Sequence, residues 1–485
     1  MHVRFRKSVG LLSLLAGLLW LSVSVRSQEP PPPPGPQASP APPADMPPTP
    51  NGVEILSRGP VHEAFAGPAT EPVPTTPVQK VPPRPIDEIP PADKPDGNAI
   101  WIPGYWAYDD ERTDYLWVSG TWRTPPPGKH WMAGYWKEDA GQYRWVPGFW
   151  TTADVQADGN HQLTYMPVPP APPNTAPPGE PPNGDSFYVP GQWAWHDAGY
   201  VVVNGAQVYR EAGYSWTAGY WARVQPGYVW IAAHYRWTPS GYIYISGYWD
   251  LAVARRGFLY APVYVNTVVV GPGFVYTPAY AVPPTVIVDA FWVRPAYCHY
   301  YFGDYYGQVY VGLGFESCAV YYRRHYEPIF AYTVYEHRAE PRWASVQVDI
   351  CLGRAAGRYP CPPRTLVEQV RVGYRGPGLV ASVRIGEVSG MRTVRLEQRE
   401  RIEAVRHAEA IRHVAMERNL HEVHQAGGAL RAPQTASYHA PVAPGHVAAN
   451  AHPGGARPPT LANKGVIPTN RKVIEKKKPD PHEKK

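Results

Sequence analysis

The chain of 485 residues lacks the patterns by which most enzymes are recognised. It has no serine nucleophile elbow, no phosphate-binding glycine loop, no zinc-protease helix and no kinase signature. Acidic residues are sparse in its aromatic-rich middle part, and Asp109, Asp110 and Glu138 fall in predicted turns, where carboxylates are ordinary. Paired-carboxylate glycoside hydrolysis needs two carboxyl groups facing across a cleft. We therefore predict that the protein is not an enzyme and has no catalytic residue, metal site or cofactor.

Cysteine is also scarce, with four residues in the whole chain. An even number in an exported protein permits disulfides, and four cysteines allow three pairings. The favoured pairs are Cys298 with Cys318 and Cys351 with Cys361, and the other pairings stay open. Neither gap resembles a zinc knuckle, which needs two closely spaced pairs.

Long apolar runs are missing except at the start, where Val9 to Val25 follows a basic segment. This pattern predicts a signal peptide over residues 1–27, cleaved before Gln28, without the cysteine that a lipoprotein anchor requires. A retained membrane anchor is the alternative, because the run approaches the roughly 20 residues needed to span a bilayer. The mature protein is thus expected in the periplasm, the cell envelope or the extracellular space, with no later transmembrane span.

Proline is abundant instead, with 61 residues beside 44 glycines, and this composition fits short strands and turns rather than a helical or α/β enzyme. Proline fills 12 of the 22 positions from Glu29 to Pro50. Such a segment buries too little apolar surface to fold, so we predict a disordered stalk over residues 28–98. Residues 153–186 are a second proline-rich linker, and residues 429–485 a disordered basic tail that is either simply solvated or in contact with an anionic surface.

An aromatic repeat is the main signal between these segments. Six-residue units of the form W-x-x-G-x-W recur in two blocks, residues 99–152 and 187–260, mostly at 14-residue steps, beginning at Trp101, Trp117, Trp131, Trp145, Tyr188, Val202, Trp216, Trp230 and Tyr244. A step of this length suits one strand and one turn. Aromatic and β-branched residues favour strands, so we predict a mainly β fold, an antiparallel meander.

Turn residues set the expected register of this meander. The dipeptides Ala140-Gly141 and Pro239-Ser240 lie midway between units. Two-residue turns there pair aromatic residues across strands, namely Trp136 with Trp145, Trp131 with Trp150, and Tyr235 with Tyr244. The two aromatics of one unit are five residues apart, so either both sheet faces are aromatic or the central glycine marks a bulge that brings them to one face, which we favour.

These units resemble the WXXGXW (YXWGXW) repeat family of exported, planctomycete-type bacterial proteins, a family without an established function. The resemblance covers Trp101 to Trp249 and implies an envelope location but no activity. Its two characteristic residue types are the aromatic residues, which are candidates for contact with a glycan or partner, and the structural glycines. They are Trp101, Trp106, Trp117, Trp122, Trp131, Trp136, Trp145, Trp150, Trp193, Trp216, Trp221, Trp230 and Trp249, and Gly104, Gly120, Gly134, Gly148, Gly191, Gly219 and Gly247.

After the repeats we predict a Tyr/Val-rich β region over residues 261–345, an irregular cysteine-containing region over 346–392 and a helix over 393–428. Thr365 and Glu368 fit a capping box. The helix has a weak apolar stripe that includes Ile402, Met416 and Leu420, suited to partial docking or self-association. Scattered histidines and acids, His299, Asp304, His325 and His337, and the i,i+4 series His413, Glu417 and His421, are interpreted as structural or solvated rather than as a metal or catalytic site.

These features favour a structural or interaction scaffold of the bacterial envelope, with envelope proteins or polysaccharide as partners and with self-association open. The alternative is a polysaccharide-binding module that uses exposed Trp and Tyr rings as platforms. The solvent exposure of the aromatic rings distinguishes the two functions, because a scaffold would bury them and a polysaccharide-binding module would expose them. Nucleic-acid binding is not expected, because the repeats carry few Lys or Arg residues.

Overall fold

The computed structural model describes residues 49–152, 154–155, 160–173, 177, 179, 181–204, 206–284, 290–373, 381–382, 391–424 and 429–439. The predicted signal peptide, the first part of the predicted stalk and the end of the tail lie outside these residues. Among the described residues, no helix is both long and apolar enough to cross a membrane.

The aromatic units pair two by two into four antiparallel hairpins, named here A to D. Each arm is interrupted where the unit has its glycine, or Ala233 in the first arm of hairpin D, so a hairpin is a stack of short ladders. Hairpin A consists of Ile100–Ile102, Tyr105–Asp109, Asp114–Val118 and Thr121–Arg123. Hairpin B consists of His130–Met132, Tyr135–Asp139, Gln142–Val146 and Phe149–Thr151. Hairpin C consists of Ser186–Val189, Gln192–His196, Gly199–Val203, Ala206–Arg210, Gly213–Thr217 and Tyr220–Arg223. Hairpin D consists of Tyr228–Ile231, His234–Thr238, Gly241–Ile245 and Tyr248–Leu251.

The predicted register is confirmed. Trp136 pairs with Trp145, Trp131 with Trp150, and Tyr235 with Tyr244. Ala140 and Gly141 both have positive φ, 52° and 79°, as a type I′ hairpin turn requires. The degenerate unit at Val202 is not a separate step of the meander but the end of hairpin C, where Val203 pairs with Ala206.

The predicted bulge at the glycines is wrong. In hairpin A, Trp101 pairs with Trp122 before the interruption and Trp106 pairs with Trp117 after it. The two strands therefore keep the same register on both sides of the interruption. A bulge would add a residue to one arm and shift the register. Both arms are instead interrupted at the same level, and neither gains a residue.

Several of the remaining strands extend these hairpins into small antiparallel sheets. One four-stranded sheet joins Val53–Ile55 and Val263–Val265 to the inner strands of hairpin A, and a five-stranded sheet joins Ala381–Ser382, Tyr280–Val282 and Gly257–Tyr260 to its outer strands. Another five-stranded sheet joins Asp154–Val155, Asn160–Met166 and Gln434–His439 to hairpin D. The other strands are Gly59–Pro60, Asp87–Glu88, Asp93–Pro95, Val275–Tyr276, Phe291–Arg294, His299–Phe302, Glu316–Ser317 and Thr393–Arg395. Among the described strands only Asp87–Glu88 and Val275–Tyr276 pair in parallel.

Helices occupy much of the chain after residue 307, where a β region and an irregular region were expected. Their bounds are α1 Thr267–Val270, α2 Gln308–Gly312, α3 Cys318–Tyr321, α4 Pro328–Glu336, α5 Trp343–Ala355, α6 Leu366–Arg371 and α7 Gln398–His424. Side chains cap several of them: Glu327 accepts hydrogen bonds from the first turn of α4, and Thr365 accepts one from Glu368 N in the predicted capping box. Tyr- and Val-rich composition alone therefore misassigned α2 to α5.

The predicted stalk is wrong for residues 49–98, which belong to the folded core. Val61 and Ala64 are fully buried and Phe65 is 1% exposed. Phe65 packs in the main hydrophobic cluster beside Trp106 and Trp117 of hairpin A. The prolines leave enough backbone donors for short ladders, and the apolar residues between them supply the burial that proline content alone did not predict.

The boundaries of the C-terminal helix and tail also need correction. Thr393–Arg395 is a strand, α7 begins at Gln398, and Gln434–His439 pairs with Asn160–Met166 in the region expected to be disordered. Helix α7 packs through Ala408, Ile411 and Val414, whereas Met416 and Leu420 of the predicted stripe are exposed. The predicted disulfides are absent, because all four cysteines are free thiols.

Candidate functional site

In seven aromatic units the central glycine lies under the first aromatic ring of the facing unit. A Cβ atom added at Gly148 would lie 2.5 Å from Cζ2 of Trp131, and one added at Gly134 would lie 2.5 Å from Cζ2 of Trp145. The same relation places Trp101 over Gly120, Trp117 over Gly104, Trp216 over Gly191, Trp230 over Gly247 and Tyr188 over Gly219, all with a contact under 3.0 Å. Only a residue without a side chain fits at these points.

The aromatic residues of facing units form edge-to-face pairs above and below the glycines. Ring centroids are 5.1 Å apart for Trp106 and Trp117, and 5.1 Å for Trp230 and Trp249. Trp193 and Trp216 are 5.2 Å apart. Such pairs contribute about 0.5–1.5 kcal/mol beyond the burial of their area.

Burial of the thirteen candidate tryptophans differs between the two blocks, and none of them is fully exposed. Six in hairpins A and B are buried, namely Trp101, Trp106, Trp117, Trp122, Trp145 and Trp150. The other seven, including all five in hairpins C and D, are partly buried. The rings therefore serve mainly as packing between strands, and those of the second block remain partly accessible to solvent.

A buried glutamate fills the interruption in hairpin A. Glu88 accepts a hydrogen bond from Trp117 Nε1 at 2.7 Å, from Gly104 N at 2.9 Å and from Gly120 N at 3.1 Å. The two glycine N–H groups have no ladder partner because both arms are interrupted, and a buried donor without an acceptor is costly. Burial raises the pKa of Glu88, against the opposing effect of the three hydrogen bonds.

Hairpin B repeats this arrangement with a different glutamate. Glu63 accepts from Trp145 Nε1 at 2.8 Å and from Gly148 N at 3.0 Å. In both hairpins two of the donors come from one unit, a tryptophan and the glycine three residues later, and in hairpin A the facing Gly104 is a third donor. We call this set of donors, with the facing glycine, the glycine notch.

Histidines flank the notch of hairpin B. His62 is buried, its Nδ1 accepts from Ala64 N and its Nε2 lies 3.1 Å from Pro103 O, so Nε2 carries the proton. Burial lowers the pKa of His62 to about 4. His299 Nε2 lies 2.9 Å from the Tyr105 hydroxyl and 3.5 Å from Glu63 Oε1. This cluster holds the two hairpins together and has no open face for a substrate.

Two buried ionic clusters tie other elements to the hairpins. Asp250 of hairpin D binds Arg123 of hairpin A at 2.5 Å and Arg256 at 3.1 Å. In α7, Arg418 and Glu422 form a 3.0 Å pair that is fully buried, and Glu422 accepts from Tyr135 and Tyr165 hydroxyls. Such pairs favour one arrangement because a lone buried charge is strongly destabilising.

Two cavities open beside the second block. The larger, about 640 Å³, lies between the outer strands of hairpin C and helices α3 to α5, and its lining includes Tyr188, Trp221, Tyr322, Arg323 and Asp349. The smaller, about 160 Å³, lies where hairpins C and D meet the chain at residues 69–72.

The ionisable residues noted in the sequence are not brought together into a reactive group. Asp304 pairs with Arg364 at 2.7 Å, His325 stacks on Tyr321, and His337 stacks on Trp343. In α7, His421 contacts the Tyr438 hydroxyl at 3.0 Å. No group of three His, Cys, Asp or Glu side chains suited to a metal ion occurs in the part of the chain that the structure describes.

Sequence reasoning missed Glu63 and Glu88, the residues that complete the notches. Both lie in the segment assigned to the stalk. A usable signal was present, because each is an acidic residue beside apolar ones, Val61 and Phe65 or Ile86 and Ile89, within a proline-rich stretch.

A comparison with known protein families identifies the same repeat units. The family model of the WXXGXW repeat, in two-copy form, matches residues 100–123, 131–151 and 226–250. These segments correspond to hairpins A, B and D, so the matched unit of the family is a pair of facing repeats. No curated protein and no solved structure was found to match the chain.

Proposed function

We propose that this protein is a non-enzymatic scaffold of the bacterial cell envelope or surface, in which paired aromatic repeats build a rigid body that presents side surfaces to partners. The observation that carries the proposal is that the characteristic groups of the repeats, the aromatic rings and the glycine N–H groups, make their contacts within the fold itself. Tryptophan rings cover glycines, and the freed N–H groups bind glutamates of the same chain.

Rigidity follows from the number of separate segments that meet at each hairpin. Hairpin A is held by Glu88 from before the repeats, by Asp250 from hairpin D, and by Val263–Val265 in its sheet. Contacts between residues far apart in sequence restrict relative motion of all these elements. A body of this kind suits the positioning of partners better than chemistry on a mobile substrate.

One surface available to a partner lies at the end of hairpin C. Its end exposes apolar side chains on both strands, with Tyr200 73% and Tyr209 53% exposed. Large exposed apolar groups on one projecting element are typical of interaction sites. Export by the predicted signal peptide would place this surface in the periplasm, the envelope or the medium.

Fluorescence quenching of the full mature chain by acrylamide tests the scaffold proposal. We expect only a minority of the tryptophans to be accessible to the quencher, with those of hairpins C and D giving nearly all of the accessible fraction. W221F and W249F should reduce that fraction, whereas W117F should not. Uniform accessibility of all the tryptophans would contradict the proposal.

Polysaccharide binding is the second candidate, and the larger cavity is what favours it. Tyr188 and Trp221 form an edge-to-face pair at 5.5 Å on its wall, and Arg323 and Asp349 supply hydrogen-bonding groups nearby. Ligand clefts of a few hundred Å³ with aromatic walls and a few polar groups are common binding sites.

Envelope glycans provide the test of this second function. A soluble glycan that stacks on the wall should protect the fluorescence of Trp221 from acrylamide, and W221A should abolish that protection. W193A, on the other side of hairpin C, is the matched control and should retain it. Absence of protection by cell-wall and matrix glycans would leave the scaffold function alone.

A further inference from the structure

Hairpin C contains a third glycine notch. Its facing units are Tyr188 to Trp193 and Trp216 to Trp221, with Tyr188 paired to Trp221 and Trp193 to Trp216. Trp216 covers Gly191 as Trp145 covers Gly134 in hairpin B. The donors equivalent to those that bind Glu88 and Glu63 are therefore Trp216 Nε1 and the backbone N–H groups of Gly219 and Gly191.

The chain supplies a glutamate to the first two notches but none of its described residues supplies one to the third. In the described residues, neither the Trp216 indole nitrogen nor the Gly191 and Gly219 nitrogens make a hydrogen bond to another residue. Gly191 and Trp216 instead line the smaller cavity.

The size of that cavity limits what it accommodates. Its volume of about 160 Å³ is below the range of roughly 300–1,000 Å³ typical of small-molecule sites. It is therefore suited to a single side chain rather than to a sugar polymer or a cofactor. Prolines and aromatics form much of its wall, among them Pro169, Pro170, Trp193 and Tyr326.

One acidic residue and two histidines also line this cavity. Glu71 is exposed at its edge, and His325 stacks on Tyr321 at 4.2 Å. Burial, with Arg236 nearby, lowers the pKa of His234 to about 3, so that ring is neutral at pH 7. Glu71 is the one carboxylate among the described lining residues, and it repels another negative charge.

We propose that the notch of hairpin C is a receptor for a glutamate side chain presented by an extended, proline-flanked segment of a partner polypeptide. The two filled notches show the chemistry: an indole N–H and a glycine N–H of the same unit donate to one carboxylate. The notch of hairpin A also shows the presentation, because Glu88 lies in a short strand followed by Ile89-Pro90-Pro91, whereas Glu63 of the second filled notch lies in a turn. The proposal rests on the proposed scaffold function, because it specifies the chemical group by which a partner would bind. Its test, however, depends only on hairpin C.

A labelled peptide with the sequence of residues 83–91, PRPIDEIPP, provides the probe, titrated against the full mature chain by fluorescence anisotropy. Its counterpart PRPIDQIPP differs only in the carboxylate. We expect the first peptide to bind and the second to bind about tenfold more weakly or not at all, since hydrogen bonds to a charged acceptor are the stronger ones. Equal binding of the two peptides would overturn the proposal.

Three variants locate the binding. W216F removes the indole donor and G191A places a methyl group under the ring, so each should weaken binding of the glutamate peptide about tenfold, whereas W249F in hairpin D is the matched control and should not. E71Q should strengthen binding by removing a like charge. A far-ultraviolet circular dichroism melt of each variant separates lost binding from lost folding. Binding that survives both W216F and G191A in folded protein would refute this site without bearing on the buried tryptophans of the scaffold.

Discussion

Replacing Gly148 by alanine tests the central feature of the fold, the packing of an indole ring on a glycine. The added Cβ would lie 2.5 Å from Cζ2 and 2.8 Å from Cη2 of Trp131, and 2.9 Å from the backbone nitrogen of Gly134. An ordinary carbon contact is 3.4–4 Å, so the ring must move by about 1 Å. Trp131 is itself held against Trp150 at 5.3 Å, which limits that movement.

The expected cost combines two opposing effects. Overpacking of this kind costs about 1–3 kcal/mol, while alanine restricts the unfolded chain and offsets about 0.4–1 kcal/mol. We therefore expect G148A to lower the free energy of unfolding by about 1–2 kcal/mol. Urea unfolding followed by far-ultraviolet circular dichroism and by tryptophan fluorescence measures this difference.

Gly213 in hairpin C is the matched control. It also lies in a strand of a repeat hairpin, but a Cβ added there would meet no atom within 4 Å. G213A should leave stability unchanged or slightly increased. A double-mutant cycle with W131L should recover part of the cost of G148A, because it removes the ring that the methyl group meets. Equal stability of G148A and G213A would refute the packing argument.

Three further results are expected. E88Q should lower the free energy of unfolding by about 1.5–3 kcal/mol, because the buried N–H groups of the notch lose a charged acceptor, whereas E138Q, exposed in hairpin B, should change it little. D250N should cost about 3–5 kcal/mol by leaving Arg123 buried without its partner; a smaller loss than that of E88Q would show that the hairpins do not depend on this cluster. The pKa of His62 falls from 6.5 to about 4 on folding, so its contribution to stability is complete above pH 6.5 and is lost as the pH falls towards 4. Between pH 7 and pH 5 this amounts to about 2 kcal/mol, and H62Q should remove that part of the pH dependence; an unchanged slope would contradict a neutral, buried ring.

The hairpin registers could be predicted from sequence because the information is local. A turn such as Ala140-Gly141 fixes which residues face each other, and the spacing of the aromatic units then determines the pairs. The choice of which units pair could not be predicted in the same way. Hairpin C joins units 28 residues apart, Tyr188 and Trp216, because the intervening unit forms the end of the hairpin.

The buried glutamates and the docking of α7 could not be predicted for a different reason. The apolar neighbours of Glu63 and Glu88 indicate burial, but the residues that donate to them lie 16 to 85 positions along the chain, and no local pattern specifies which residues these are. In α7 the core-facing surface includes the polar pair Arg418 and Glu422, while Leu420 is 64% exposed. Apolar periodicity therefore indicated the wrong side of the helix, since the buried charges satisfy each other.

The glycine notch explains why one aromatic unit cannot be stable alone. Its glycine is covered only if a facing unit supplies the ring, and its freed N–H groups are satisfied only if a carboxylate arrives from outside the pair. Hairpins A and B meet both conditions within the chain, and their tryptophans are mostly buried. In hairpin C the facing unit supplies the ring, but none of the described residues supplies the carboxylate. Its tryptophans remain partly exposed beside a cavity. Hairpin C thus differs from hairpins A and B in having no carboxylate of its own described chain at the notch, and the proposed partner glutamate would complete its hydrogen bonding.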